Sequence, residues 1–172
     1  MDMGRRRINA DELNRLYVLT GKGIWDLQRV EDALSTFITL KRDIKVRGAM
    51  PKAQAEAVLA RHRSDTLGTS VRIARQGQVL SPSLQDRLEK FKKERDWLVH
   101  RSLHQNGDDL YIDERRYLLL NRLAAFSEKA VILQRLIAAE LEEFVVAQGI
   151  SREWIENYAA RRIKTLRGDE AS

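Results

Sequence analysis

Apolar residues return at every third or fourth position along most of this chain. Ile24, Leu27, Val30, Leu34, Phe37, Ile38 and Ile44 make one such face and predict a helix over 24–46. Gly48 stops it and Pro51 starts the next element. Shorter helices are expected over 51–62 and 65–76, the second closed by Gly77. Ser81 and Pro82 are placed as N-cap and first helical residue of a helix over 82–103. After the polar turn "HQNGDDLYID", Asp113 is placed as the cap of the longest helix, over 114–147. Its stripe is Leu119, Leu123, Phe126, Ala130, Leu133, Ile137, Leu141 and Phe144. Gly149 closes it, and Ser151 opens a last helix reaching about 166.

Strand signals are scarce, and no Asn-Gly or Asp-Gly hairpin turn separates alternating segments. The expected fold is therefore all-α: a bundle of two long helices and several shorter ones in a single domain over 21–168. Residues 1–20 and 169–172 are expected to be loose ends. A chain of 172 residues can bury a core without staples. The absence of cysteine excludes disulfides and thiolate metal sites and fits a cytoplasmic setting. With no apolar run of about 18 residues, no membrane partner is expected. A net charge of +6 suits a polyanion such as RNA or DNA, or simply solubility; charge alone does not decide.

One residue breaks the pattern. On the helix over 82–103, Leu84, Leu88, Phe91 and Leu98 share a narrow sector, and Arg95 falls in its middle. A guanidinium cannot shed its charge, and left unpaired in a dry seam it would cost several kcal/mol. It needs an acidic partner, a wet cleft or an anionic ligand. His100 follows five residues later, about 140° round a straight helix. Three arrangements bring the two together: a kink, convergence at a cleft rim, or two copies of the helix meeting across a dimer axis. Histidine gives and takes protons near neutral pH, and arginine grips phosphate with a bidentate fork. Together they suit metal-free cleavage of RNA by its own 2′-hydroxyl, with no cofactor.

The stretch "RDWLVH" resembles the R-x4-H motif of the HEPN superfamily. The resemblance implies a helical bundle, usually dimeric, with metal-independent endoribonuclease activity in toxin–antitoxin or phage-defence systems. Arg95, Asp96 and His100 are the positions that carry over; the polar residue after the arginine, often asparagine in the family, is Asp96 here. Toxin members often carry a tyrosine two residues after the histidine, where this chain has Ser102. A toxin member would have a cognate antitoxin as partner. Some members lack activity and only bind nucleotides, RNA or proteins.

Glu31, at the rim of the first helix's apolar face, is a candidate for orienting Arg95, or else a half-exposed glutamate. Arg101 and the cluster Arg161, Arg162 and Lys164 are candidates for tracking an RNA backbone, or else a solvated face. His100 and His104 have the i, i+4 spacing of metal ligands, but no third histidine lies nearby, so no metal site is assigned. His62 reads as a solvated residue at a helix end. Trp154 and Tyr158 are expected to pack the last helix onto the bundle. Two other classes stay open: a non-catalytic helical adaptor or RNA-binding dimer, and a helix-turn-helix DNA-binding regulator built on the final helix.

Overall fold

The computed structural model describes residues 5–168, so the tail at 169–172 and residues 1–4 lie outside the described residues. Within them the chain forms α1 (Ala10–Ile38), α2 (Lys52–Arg63), α3 (Leu67–Gln76), α4 (Pro82–His100), α5 (Ser102–Asn106), α6 (Asp113–Ala147) and α7 (Arg152–Arg167). A π-helical turn (Thr39–Ile44) continues α1, and a 3₁₀ turn (Asp108–Tyr111) leads into α6. Among the described residues the only strand-like pairing is an isolated bridge between Arg5 and Ile112. The protein is all-α.

The first helix starts at Ala10 rather than near Ile24, so residues 10–20 are helical instead of loose. The cause is local. Asn9 accepts from the Glu12 amide at 2.9 Å, and the Glu12 carboxylate accepts from the Asn9 amide at 3.1 Å. That reciprocal box satisfies two helix-start donors at once. Arg6 grips the same carboxylate at 2.6 Å and holds it well below the usual range, at about 2.

The two long helices run parallel. Glu12 of α1 meets Arg116 of α6 at 3.1 Å, and further along Asp26 accepts a hydrogen bond from Ser127. Between those points a Cβ at Gly23 would lie only 3.3 Å from the Phe126 ring, so glycine lets the helices close on each other. Parallel neighbours need a return leg, and α4 supplies it. Its start is bound to the far end of α6 through Ser81 and Glu140, and its end through Glu94 and Arg122 at 3.1 Å. Leu27, Val30, Leu34 and Phe37 from α1 meet Leu84, Leu88 and Phe91 from α4 and Phe126, Ala130 and Ile137 from α6 in one buried core.

Two elements end differently from expectation. The helix over 82–103 stops at His100, because Arg101 leaves helical geometry and α5 restarts at Ser102. Ile112, not Asp113, occupies the cap position of α6, with no side-chain cap bond. The π turn inserts a residue into the helical phase. It carries Lys41, whose Nζ lies over the Phe37 ring at 5.2 Å. It also delivers Asp43 to His62. That histidine is not solvated: it is 1% exposed, with Nε2 at 2.7 Å from Asp43 and Nδ1 at 3.3 Å from Asp65.

The last helix also departs from expectation. Gly149, at φ 86°, turns the chain after α6, and α7 buries no residue. Trp154 and Tyr158 stack on each other at 5.3 Å and stay half exposed instead of docking on the bundle. Arg152 fixes the start of α7 to Glu143 at 2.7 Å and to Glu142.

The His62 clamp joins α2, the π turn and the approach to α3. His62→Ala leaves two carboxylates without their shared donor and opens a cavity. It is expected to lower the unfolding free energy by about 2–4 kcal/mol, read from urea denaturation. A loss under about 0.5 kcal/mol, the size of an ordinary surface substitution, would show that the clamp contributes nothing.

Candidate functional site

Arg95 leaves the buried seam of α4 through the reach of its own side chain. The Cα sits on the apolar sector, and the side chain is 18% exposed. Nη1 donates to Asp96 Oδ1 at 3.2 Å and lies 3.3 Å from His100 Nε2. Nε is buried and makes no hydrogen bond within the chain. The helix is continuous from Pro82 to His100, so no kink joins the pair. Five residues climb about 7.5 Å, a distance an extended arginine spans. The convergence is therefore at the rim, within one protomer. A guanidinium only donates, so in this contact Nε2 is the acceptor and the ring proton sits on Nδ1.

One further group on α4 and two neighbouring elements converge here. Asp96 also accepts from Lys92 Nζ at 2.9 Å. Burial opposes its charge, but the hydrogen bonds from Lys92 and Arg95 outweigh that and hold its pKa below the ordinary value. Glu31 approaches from α1. Burial is the stronger influence and pushes its carboxyl up; the charge of Arg95 and the Leu67 backbone amide recover only part. Of the two readings open for Glu31, it is half-buried and feels the charge of Arg95 through space, while Arg95's ion pair is with Asp96. The start of α3 closes the other side. A Cβ on Gly68 would fall 2.8 Å from Lys92 Cε, so the lysine stem lies against the first turn of that helix.

Lys92 and Gly68 escape the sequence reading. The i, i+4 spacing of Lys92 and Asp96 is the signal that could have found the lysine. Contact between Gly68 and α4 is tertiary and has no local signature. The remaining candidates lie elsewhere. Arg101 is exposed at the C-cap of α4. Arg161, Arg162 and Lys164 are exposed on α7, and among the described residues no ion pair or hydrogen bond joins them to the Arg95 cluster. His104 is exposed on α5, and among the described residues no group of three or more histidine or acidic side chains could hold a metal ion. No helix of the described residues is long and apolar enough to cross a membrane. Set against protein-family models, curated proteins and solved structures, the chain matches none.

The raised pKa of Glu31 has a sign that can be checked. A carboxyl whose folded pKa lies above its unfolded value favours folding when protonated. That contribution is full below the ordinary value of 4.5 and is lost as pH rises through the folded pKa. Glu31→Gln removes the titration. The stability of the variant relative to the parent should therefore grow with pH across that window, measured by urea denaturation from acid to neutral pH. A flat difference would show that burial does not oppose the carboxylate.

Proposed function

We propose that this protein is a metal-independent endoribonuclease of the HEPN type, working as a homodimer in the cytoplasm, in a toxin–antitoxin or phage-defence setting with a cognate antitoxin or regulator. The observation that carries this reading is the 3.3 Å contact between Arg95 Nη1 and His100 Nε2 in a side chain whose Nε has no acceptor. A phosphodiester supplies what that guanidinium lacks. Its non-bridging oxygens take the fork, the contact to the imidazole is exchanged for phosphate, and Nε2 is released as a base.

The step then balances. The 2′-oxygen attacks phosphorus while its proton passes to His100 Nε2, and the bond from phosphorus to the 5′-oxygen breaks. The leaving oxygen takes a proton from the matching histidine of a second copy, which begins the step as an imidazolium and ends it neutral. The products are a 2′,3′-cyclic phosphate and a 5′-hydroxyl. Arg95 stabilises the charge on the phosphorane-like state. Asp96, tied to Lys92, positions the guanidinium, and Glu31 tunes the field around it. Arg101 and the α7 cations meet flanking phosphates.

A second reading, a non-catalytic adaptor, is favoured by one observation. The end of α4 is surrounded by large apolar side chains in solvent, with Leu103 82% exposed beside Tyr17 and Val99. A protein partner would cover such a surface.

Incubating the protein with total RNA and a chelator separates the two. Cleavage leaving 2′,3′-cyclic phosphate ends is expected. Its rate should fall at least about 100-fold in His100→Ala and in Arg95→Ala, as loss of a general base or a charge clamp requires. Arg95→Lys keeps the charge without the fork and should retain part of the activity. Equal background from all four proteins would leave the adaptor. Light scattering showing a monomer at assay concentration would remove the two-imidazole arrangement.

A further inference from the structure

A second feature lies on a different flank of α4. A trough of about 470 Å³ runs between α4 and α6. Phe91 and Leu133 form its buried floor, and Ile132 is 50% exposed within it. Arg87, Lys90 and Lys93 of α4 stand on one wall and Lys129 of α6 on the other. Among the described residues none of these four cations has an ion pair. Glu94, the acid at the trough, is already held by Arg122 at 3.1 and 3.2 Å. Elsewhere on α4, Glu89 pairs with Arg75 at 2.5 Å and Asp96 with Lys92 at 2.9 Å, while Asp86 has no ion pair among the described residues. Four cations without an ion pair among the described residues thus rim one open apolar strip.

We propose that this trough docks an amphipathic helix of a partner protein, one whose apolar stripe is flanked by acidic side chains. Both halves of the complementarity are needed. The strip offers apolar surface to anchors at i, i+3 or i+4, and i+7, and the cations on both walls offer partners to the acids beside them. From Arg87 to Glu94 the wall rises about 10 Å, two turns of helix, which matches such a set of anchors. The chain's own detached helix is the wrong occupant, because α7 carries Arg161, Arg162, Lys164 and Arg167. Single-stranded RNA fits the cations but not the floor. Bases need an open aromatic face, and Phe91 is buried and stacked on Phe126 at 4.8 Å. Lys90 and Asp96 are about 120° apart on the helix, so this surface stands independently of the Arg95 cluster.

The test uses the full chain and a fluorescent helical peptide roughly 18 residues long, long enough to hold its helix. It carries leucines at the stripe positions and glutamates on both flanks. A shuffled peptide of equal composition, oligouridylate and dodecanoate are the other probes. The stripe peptide is expected to bind at least about tenfold more tightly than the shuffled one. The triple variant Lys90→Glu, Lys93→Glu, Lys129→Glu and the single variant Ile132→Glu should each weaken it at least about tenfold, with circular dichroism showing both still folded. Absence of peptide binding, equal binding of the shuffled peptide, or unchanged affinity in the folded variants would overturn the proposal. So would variant-sensitive binding of oligouridylate or dodecanoate that the peptide does not show.

Discussion

The parallel contact between α1 and α6 is the constraint from which the rest of the fold follows. Two helices of 29 and 35 residues pressed together in the same direction cannot be joined by a short turn. The intervening chain must climb back, and only α4 among the connecting elements is long enough to do so against both. That places α4 at the seam, where it meets Gly23 through Leu98 and Phe126 through Phe91. The close approach at Gly23 is not free of polar cost. Asp26 is buried there, and it stays charged because Lys22 donates to it at 2.8 Å and Ser127 from α6 donates as well. Burial opposes that charge most strongly, yet those donors bring its pKa below the ordinary value. One hydrogen-bonded acid thus fixes the register of the two long helices, and the register fixes where the return leg runs.

Much of this was legible as pattern. The stripes on α1, α4 and α6 report core faces directly, because a helix buries every third or fourth residue and little else. Ser81-Pro82 and Ser151 report helix starts because capping is local chemistry. Asn9 and Glu12 carry the same kind of signal, and the helix over 10–20 was readable from them. What periodicity could not give is what depends on an inserted residue or on distant chain. The π turn changes the phase at Thr39, and Asp43 reaches a histidine that its neighbours in sequence mark as exposed. The packing of α7 failed for a related reason. Trp154 and Tyr158 share a face, but sequence does not show whether a wall stands opposite, and they satisfy each other instead.

The candidate site was legible in part. Arg95 stands out because charge in an apolar sector is rare, and Asp96 and His100 follow it closely. Ideal helical angles set Arg95 and His100 apart. Side-chain length brings them together, and Cα-based angles do not contain it. The contributions of Glu31 and of the first turn of α3 are tertiary and were visible at most as a rim position.

The protein carries its own comparison for what a purely structural arginine looks like. Arg116 is buried on a long helix, and its guanidinium meets three oxygens of the chain. It donates to the Leu110 carbonyl at 2.6 Å and to Asp113, and is ion-paired with Glu12 at 3.1 Å. Burial of a permanent cation is tolerable there because two carboxylates and a carbonyl surround its terminal nitrogens. Arg95 has less. Its one carboxylate is shared with Lys92, its second contact is an imidazole nitrogen, and its Nε has nothing. Glu31 is near enough to respond to its charge but does not close the gap. In the same fold the more deeply buried arginine has two carboxylates and a carbonyl, and the half-buried one has a single shared carboxylate. A donor set left incomplete at the open end of the seam, beside a titratable ring, is where an anion from outside the chain would find the least resistance.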